Sequence, residues 1–505
     1  MLNARINRRN FVLGSASALA LGSLPRFTYG QTTTRIRLEW QQFKVSSQYS
    51  SYLNAVRTMK ANTTSTSRNS WQYWINVHRN YCPHDTAYFL AWHRGYMYYF
   101  ERQLQIVSGD PNLALPYWDY YTNPNIPSEF TDPASGNPLY VARSGTNVYN
   151  ALDLSPFAST VWNFQRGTTN AFEPKLESAP HNPVHNLIGN FMANVMTSPT
   201  DPIFYLHHCN IDRLWHAWAL PDGKGIPPTA NPYSSTNSSP YWAGTFTYAS
   251  DLTMPRYLAY YPGWLNYDYA NDNKPSSLPP VSGASSIKLV QAQMSTMLNR
   301  PATATFAPSA ARTISSTRRS LGGVRNVSLG DNSLSVQLPI ASTALRQISS
   351  AASAGVSAAT AGAAATAAAG GTRSVIVVAD GLALRPLGAN GGYFYNLYLN
   401  LPASGDATSV KQRYFLGTLG AFEATTAAHH GTNAVEYPAT EVLANMTDAQ
   451  LSEVTVSLVR VNGSSAPRGG PVIGIGELRL EISTEAAFDS SQLVPKTSEN
   501  CYCDR

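Results

Sequence analysis

The chain has 505 residues, 43% of them apolar and 11% aromatic, with 10 Trp, 29 Tyr and 17 Phe. That is too long for one ordinary domain, supplies a large core and excludes wholesale disorder. Only 13% of residues are charged, and the net charge of +6 falls to +2 once Arg5, Arg8, Arg9 and Arg26 of an acid-free N-terminus are set aside, so no electrostatic footprint for nucleic acid remains. Four cysteines, Cys82, Cys209, Cys501 and Cys503, are too few and too unevenly spread for a disulfide scaffold.

Residues 1–30 combine a basic start, an apolar stretch from Phe11 to Leu24, and small residues Thr28 and Gly30 before Gln31. This is the pattern of a signal peptide cleaved near Gly30. Within it, Asn7-Arg8-Arg9-Asn10-Phe11-Val12-Leu13 has the form of a twin-arginine signal, so export to the periplasm or beyond is expected. No later apolar run is long enough to predict a membrane span.

From about Thr33 to Pro262 apolar residues recur at three and four positions, which predicts helices and a mainly α domain over residues 31–267. Thr86 to Val107 reads as one long proline-free helix. Asp201-Pro202 supplies an N-cap and a first-turn proline to the segment that follows, and Pro183 can open another helix in the same way. Residues 268–371 shift to Ser, Ala, Thr, Pro and Gly and end in the run Ser349–Gly371, which reads as a linker. Beyond it, Val375–Val378, Tyr393–Leu401, Tyr414–Leu419, Val454–Val461 and Glu477–Ile482 have strand character, and Val327–Leu338 adds an earlier strand pair. An all-β sandwich over residues 372–488 and a tail over 489–505 are expected.

Eight of ten histidines fall between positions 78 and 216. His181 and His185 stand at i and i+4, so on a helix both imidazoles project from one face and can share a metal. One of His207 and His208 can complete a three-histidine set, and His78, His84 and His93 form a second. Neutral nitrogen donors with no carboxylate or thiolate cluster suit copper, iron or zinc and disfavour magnesium or calcium. Two such sites can face each other across a helix bundle.

Four stretches carry a family resemblance: Phe89–Glu101 (FLAWHRGYMYYFE), Leu115–Asp119 (LPYWD), His181–His185 (HNPVH) and Ser198–Trp215 (SPTDPIFYLHHCNIDRLW). Over roughly Arg35 to Pro262 the chain resembles the type 3 copper proteins, specifically the tyrosinases and polyphenol oxidases. The resemblance implies a four-helix bundle around two copper ions, with His78, His84 and His93 binding copper A and His181, His185 and His208 binding copper B. His207 and His216 then become supporting or core residues, and Asp212 packs its helix near Arg213. Cys82, two before His84, looks like the cysteine that many relatives join to that histidine through a thioether.

The implied chemistry joins dioxygen with phenolic small molecules. A phenol has an unperturbed pKa near 10, so something must take its proton. By resemblance, Glu173 and Asn182 look like the glutamate and asparagine that hold a water for this task, which implies ortho-hydroxylation of monophenols as well as oxidation of o-diphenols to o-quinones. The alternatives are a catechol or o-aminophenol oxidase without hydroxylation, and an oxygen carrier of the hemocyanin kind. Val195 falls where some relatives place a bulky residue over copper A and leaves the substrate entrance more open. Tyr393–Phe422 resembles the C-terminal domain of plant polyphenol oxidases, which implies shielding of the site, relieved by cutting the Ser349–Thr372 run. Cys501 and Cys503 can chelate Cu(I), pair between molecules or do neither, and His429-His430 reads as a loop pair.

Overall fold

A computed structural model describes residues 34–484, apart from 85–86, 167–169, 220–240, 281–302, 342–343, 345–347, 349–373, 403–406, 445 and 447–452. The leader, the Ser349–Gly371 run and Cys501 and Cys503 lie outside the described residues. No helix among those described is long and apolar enough to cross a membrane.

The N-terminal half is a helix bundle. Helix α1 (Gln48–Ala61) packs against α2 (Trp71–Tyr81) and α3 (Phe89–Ser108), and α3 packs against α5 (Ile203–Ala219). The short α4 (Asn182–Ile188) follows a kink at Ala179 and closes the bundle. Local signals set the ends. The Ser70 hydroxyl accepts from Gln72 N to cap α2, the Asp201 carboxylate accepts from Ile203 N at the start of α5, and Gly109 ends α3 in the left-handed region at φ 71°. Helix α3 begins three residues later than the pattern predicts, because Tyr88 takes φ 81° and turns the chain into it. Tyr88 is held there by the Tyr241 ring at 4.6 Å and by Arg256 over its face at 4.3 Å.

Buried charges bind the bundle to a two-stranded parallel sheet, Arg35–Arg37 with Tyr267–Tyr269. Arg37 reaches Glu101 at 2.8 Å. Asp212 pairs with Arg94 at 2.6 Å and accepts from the hydroxyls of Tyr267 and Tyr269 at 2.6 and 2.5 Å. Its expected neighbour Arg213 turns instead to Asp119 at 3.0 Å. Asp212 therefore ties α5 to α3 and to the sheet.

The C-terminal half is a two-sheet sandwich, and it begins earlier than its composition suggests. The strands are β1 (Arg318–Leu329), β2 (Leu334–Leu338), β3 (Ser374–Leu384), β4 (Tyr393–Leu399), β5 (Phe415–Gly420), β6 (Val435–Pro438), β7 (Val454–Asn462) and β8 (Ile473–Ser483). One sheet runs β6-β3-β8-β1 with Ala307–Ser309 at its edge; the other runs β5-β4-β7-β2 with Thr303–Ala304. Within the 268–371 region only Val327–Leu338 is expected as strand, and it holds the end of β1 and all of β2; residues 303–326, expected as linker, also supply strands, so that both sheets include strands on either side of the low-complexity run. The Ser/Gly content of residues 303–326 misleads because one glycine is required by packing: a Cβ on Gly323 would run into the backbone of Leu478 and Arg479 on β8. The run Ser349–Gly371 is an insertion between β2 and β3 of one domain, so cutting it does not detach that domain.

The sandwich is also not purely β. Helix α6 (Ala421–His429) follows β5 directly and rests on the bundle. Phe422, Phe394 and Val461 join the helical core rather than the sandwich core. Across this junction Asn186 is the principal clamp. Its Oδ1 accepts from Phe422 N at 2.9 Å, its Nδ2 donates to Glu423 Oε2 at 2.8 Å, and its carbonyl accepts from Gly392 N at 2.7 Å. Lys411 reaches Asp153 at 2.7 Å beside it.

Candidate metal centre

Each histidine is delivered by a bundle element: His78 by the last turn of α2, His84 by the loop after it, His93 by α3, His181 and His185 by α4 and its N-terminus, and His207 and His208 by α5. All seven are buried. The rings of His78, His84 and His93 lie 5.0 to 5.6 Å apart. Those of His181, His185 and His208 lie 4.6 to 5.6 Å apart. The two sets meet where His93 and His208 stack at 4.5 Å.

Hydrogen bonds fix which nitrogen faces inward. Nδ1 of His93 donates to Phe89 O at 2.8 Å, Nδ1 of His185 to Met192 O at 2.9 Å, and Nδ1 of His181 to Asn182 Oδ1 at 2.8 Å. Nδ1 of His84 lies 2.9 Å from Cys82 Sγ. In the first three, whose partners are oxygen acceptors, Nε2 is left with its lone pair, the tautomer a metal ligand needs. Those Nε2 atoms, those of His84 and His78 and both ring nitrogens of His207 and His208 are buried without a hydrogen-bond partner. A buried polar atom left unsatisfied costs about 1–3 kcal/mol. Seven imidazoles converging in this way fit bound metal and have no packing rationale. Burial holds every one below its ordinary pKa, with the neighbouring histidines adding to it at His84, His181 and His208; His93 and His185 fall to about 3. They stay neutral at pH 7, ready to bind. Phe204 at 4.2 Å from His208 and Phe89 at 4.5 Å from His181 wedge between the sets and keep water out.

The structure brings together every histidine expected from sequence and adds one. The ligand nitrogens of His181, His185, His207 and His208 all lie within 4.8 Å of one another, as do those of His78 and His84 with the Cys82 sulfur. His207 sits 5.2 Å from His181 and 4.9 Å from His185, backed by Tyr120 at 5.8 Å. His216 is remote from this cluster and pairs with Asp268 at 3.1 Å.

Glu173 is fully buried. Its Oε1 accepts from Leu90 N at 3.2 Å and the Tyr241 hydroxyl at 3.0 Å, and its Oε2 from Arg166 N at 3.0 Å. Burial raises its pKa, and these donors offset part of that rise. A second buried acid, Glu177, stands four residues before His181 across the kink at Ala179 and is paired with the Arg166 guanidinium; it lies outside the sequence motifs. Asn182 gives its Oδ1 to His181 and so acts first on that ring. Val195 does not line an open entrance. It is fully buried, and its N–H donates to Thr425 Oγ1 of α6 at 3.3 Å.

The residue that covers the site was not legible in sequence. The Phe422 ring stacks on His185 at 4.1 Å and 18°, and stands edge-on to His84 at 5.6 Å and to His181 at 5.7 Å. Nothing in GTLGAFEAT distinguishes it from a core phenylalanine.

A family model described as the common central domain of tyrosinase matches residues 50–162 and 137–220. The chain is similar to tyrosinase HcTyr1 of Hahella sp. (strain CCB-MM4), 33% identical over 184 residues, covering 29% of this chain and 40% of that one. It is similar to the chloroplastic polyphenol oxidase E of Solanum lycopersicum, 30% identical over 205 residues, covering 30% and 35%. The match thus spans less than half the length of these curated relatives. Among solved structures, latent apple tyrosinase aligns over 92% of this chain and 99% of its own at 18% identity and TM-score 0.49. Residues 50–220 thus carry the common central domain of tyrosinase, and the two histidine sets on its helices suit a pair of copper ions.

Proposed function

We propose that this protein oxidises phenols with dioxygen at a pair of copper ions, converting o-diphenols to o-quinones and hydroxylating monophenols at the ortho position. The observation that carries the reading is the pair of facing histidine sets with unpartnered, inward-turned nitrogens. His78, His84 and His93 hold one ion; His181, His185 and His208 hold the other. His208 is preferred over His207 because it stacks on His93 at the junction of the sets, whereas His207 backs onto Tyr120. When bound, copper would supply the dioxygen binding and the oxidising chemistry of the reaction.

The chain's own residues do the rest. Asn182, Met192 and Phe89 orient the ligand rings through Nδ1. Cys82 joins His84 through a thioether and holds that ring. Phe89 and Phe204 exclude water, so the substrate phenol meets a dry site. Glu173 accepts its proton at Oε2, the oxygen with one donor rather than two; its raised pKa makes it a better proton holder than a solvated acid. Glu177, buried four residues before His181, is the second candidate for this proton.

Phe422 occupies the face of His185 that a phenol ring would use, so the chain as folded is shielded by its own C-terminal domain. The leader Arg8-Arg9 directs the enzyme out of the cytoplasm by the twin-arginine route. The test is turnover of a monophenol and a catechol by the copper-loaded chain, before and after severing it between residues 280 and 303 and removing the sandwich. Quinone from both substrates, rising after removal, is the expected result. Catechol oxidation alone restricts the enzyme to diphenols, and no turnover of either overturns the reading.

A further inference from the structure

A line of oxidisable rings leads from His93 to the surface. Trp92, the residue before it, lies 5.0 Å from the His93 ring. Trp92 is 5.0 Å from Tyr248, Tyr248 is 5.2 Å from Tyr99, and Tyr99 is 5.3 Å from Tyr98. The first two are buried and the last two half-buried. Each is held in place: Trp92 Nε1 donates to Thr247 O at 3.1 Å, the Tyr248 hydroxyl to Trp92 O at 3.1 Å and the Tyr99 hydroxyl to Thr253 O at 2.8 Å. The fold also gives up helix propensity for this contact. Gly95 sits inside α3, where glycine costs about 0.5–1 kcal/mol against alanine, and a Cβ there would collide with the Tyr248 hydroxyl. A second branch through Tyr96 and Trp74 to the half-buried Tyr73 has wider steps, including 6.0 Å between Tyr96 and Trp74.

We propose that Trp92, Tyr248, Tyr99 and Tyr98 form a one-electron relay by which the copper site, having taken up dioxygen with no phenol bound, draws electrons from reductants at the surface instead of oxidising its own histidines. This rests on the phenol-oxidase reading above. In each passage Trp92 gives one electron to the site and is refilled through Tyr248 from Tyr99. Tyr99 loses its hydroxyl proton to water and becomes a neutral radical, and a surface reductant such as an enediol or catechol returns one electron and one proton. Two passages, together with the two electrons that bound copper would supply and four protons from water, would account for reduction of one dioxygen to two waters. Tyr248 conducts without holding the charge, because its buried hydroxyl faces only a carbonyl and its proton has nowhere to go. Tyr99 holds it, because a half-exposed hydroxyl can release its proton. Burial pushes the Tyr99 phenol up to about 12, so it starts protonated at neutral pH.

The experiment treats the copper-loaded full chain with hydrogen peroxide in the absence of phenol. It compares wild type with the double variant Tyr98→Phe/Tyr99→Phe by electron paramagnetic resonance of frozen samples and by mass spectrometry of histidine oxidation. The relay predicts a tyrosyl signal in wild type that falls severalfold in the double variant, while oxidation of the site histidines and copper release rise severalfold. Tyr248→Leu, which removes the middle ring, gives the same pattern. An unchanged radical signal with unchanged histidine oxidation overturns the relay. Catechol oxidation by untreated wild type separates the two proposals: if it is absent, the phenol-oxidase reading has failed; if it is present and the variants behave as wild type, the relay alone has failed.

Discussion

Replacing Phe422 with alanine isolates the contribution of one ring to shielding. The clamp beneath it survives, because Asn186 binds the backbone N–H of residue 422 and the carboxylate of Glu423, neither of which the substitution removes. What is lost is the ring stacked on His185 at 4.1 Å. Burying a phenylalanine side chain contributes about 1.5–3 kcal/mol, so its loss shifts the docking equilibrium of α6 by about 10- to 150-fold. It also leaves room over His185 for a small phenol even while α6 stays docked. Oxygen uptake with catechol by the uncut, copper-loaded Phe422→Ala chain is therefore expected to exceed wild type by about tenfold or more. Copper content and thermal unfolding of the same samples establish that the site is filled and the chain folded. A folded, copper-filled variant with wild-type turnover would refute the reasoning that Phe422 blocks the site.

The remaining expectations follow from named contacts. His208→Ala should lower bound copper from two to one per chain by elemental analysis, and His207→Ala should retain two; the reverse would exchange their roles. Glu173→Gln should cut monophenol hydroxylation by about 100-fold or more with little effect on catechol oxidation. In wild type, hydroxylation should fail as pH drops through the raised pKa of Glu173, above the ordinary value of about 4.3. Should Glu177→Gln alone show this split, the proton role moves there. Asp212→Ala leaves Arg94 buried without its partner and should cost about 3–5 kcal/mol in denaturant unfolding. Although burial opposes it, Arg94 and Arg37 hold the Asp212 pKa below its usual value, so its contribution is present above the unfolded value of about 3.9 and is lost as pH falls through the lower folded one. An engineered cut within residues 349–371 should leave turnover unchanged, because strands on either side of it remain hydrogen-bonded in both sheets; activation by that cut would contradict the topology.

The helical domain was legible because its signals are local. Asp201-Pro202 marks the start of α5, the i,i+4 pair His181 and His185 marks a ligand face, and the histidine motifs carry the family resemblance. Less was legible where long-range packing decides. Residues 303–326 read as linker because Ser and Gly composition is shared by loops and by strands that pack closely, and only the partner β8 distinguishes Arg318–Asn326. Asp212 has Arg213 as its sequence neighbour, yet the packing of α3 on α5 brings Arg94 to it instead. At Val195 a small side chain suggests an open doorway, but α6, the element that closes it, lies some 230 residues away in the chain. Phe422 and Asn186 had no local mark, as their meaning arises only when the sandwich docks on α4.

The central claim is a dinuclear copper site that oxidises phenols. The most direct test titrates the copper-free chain with copper and follows catechol-dependent oxygen uptake at each addition. Uptake should be absent without metal, rise cooperatively and saturate at two copper ions per chain. Saturation at one copper, or full copper binding with no uptake by either the wild-type or the Phe422→Ala chain, would contradict it.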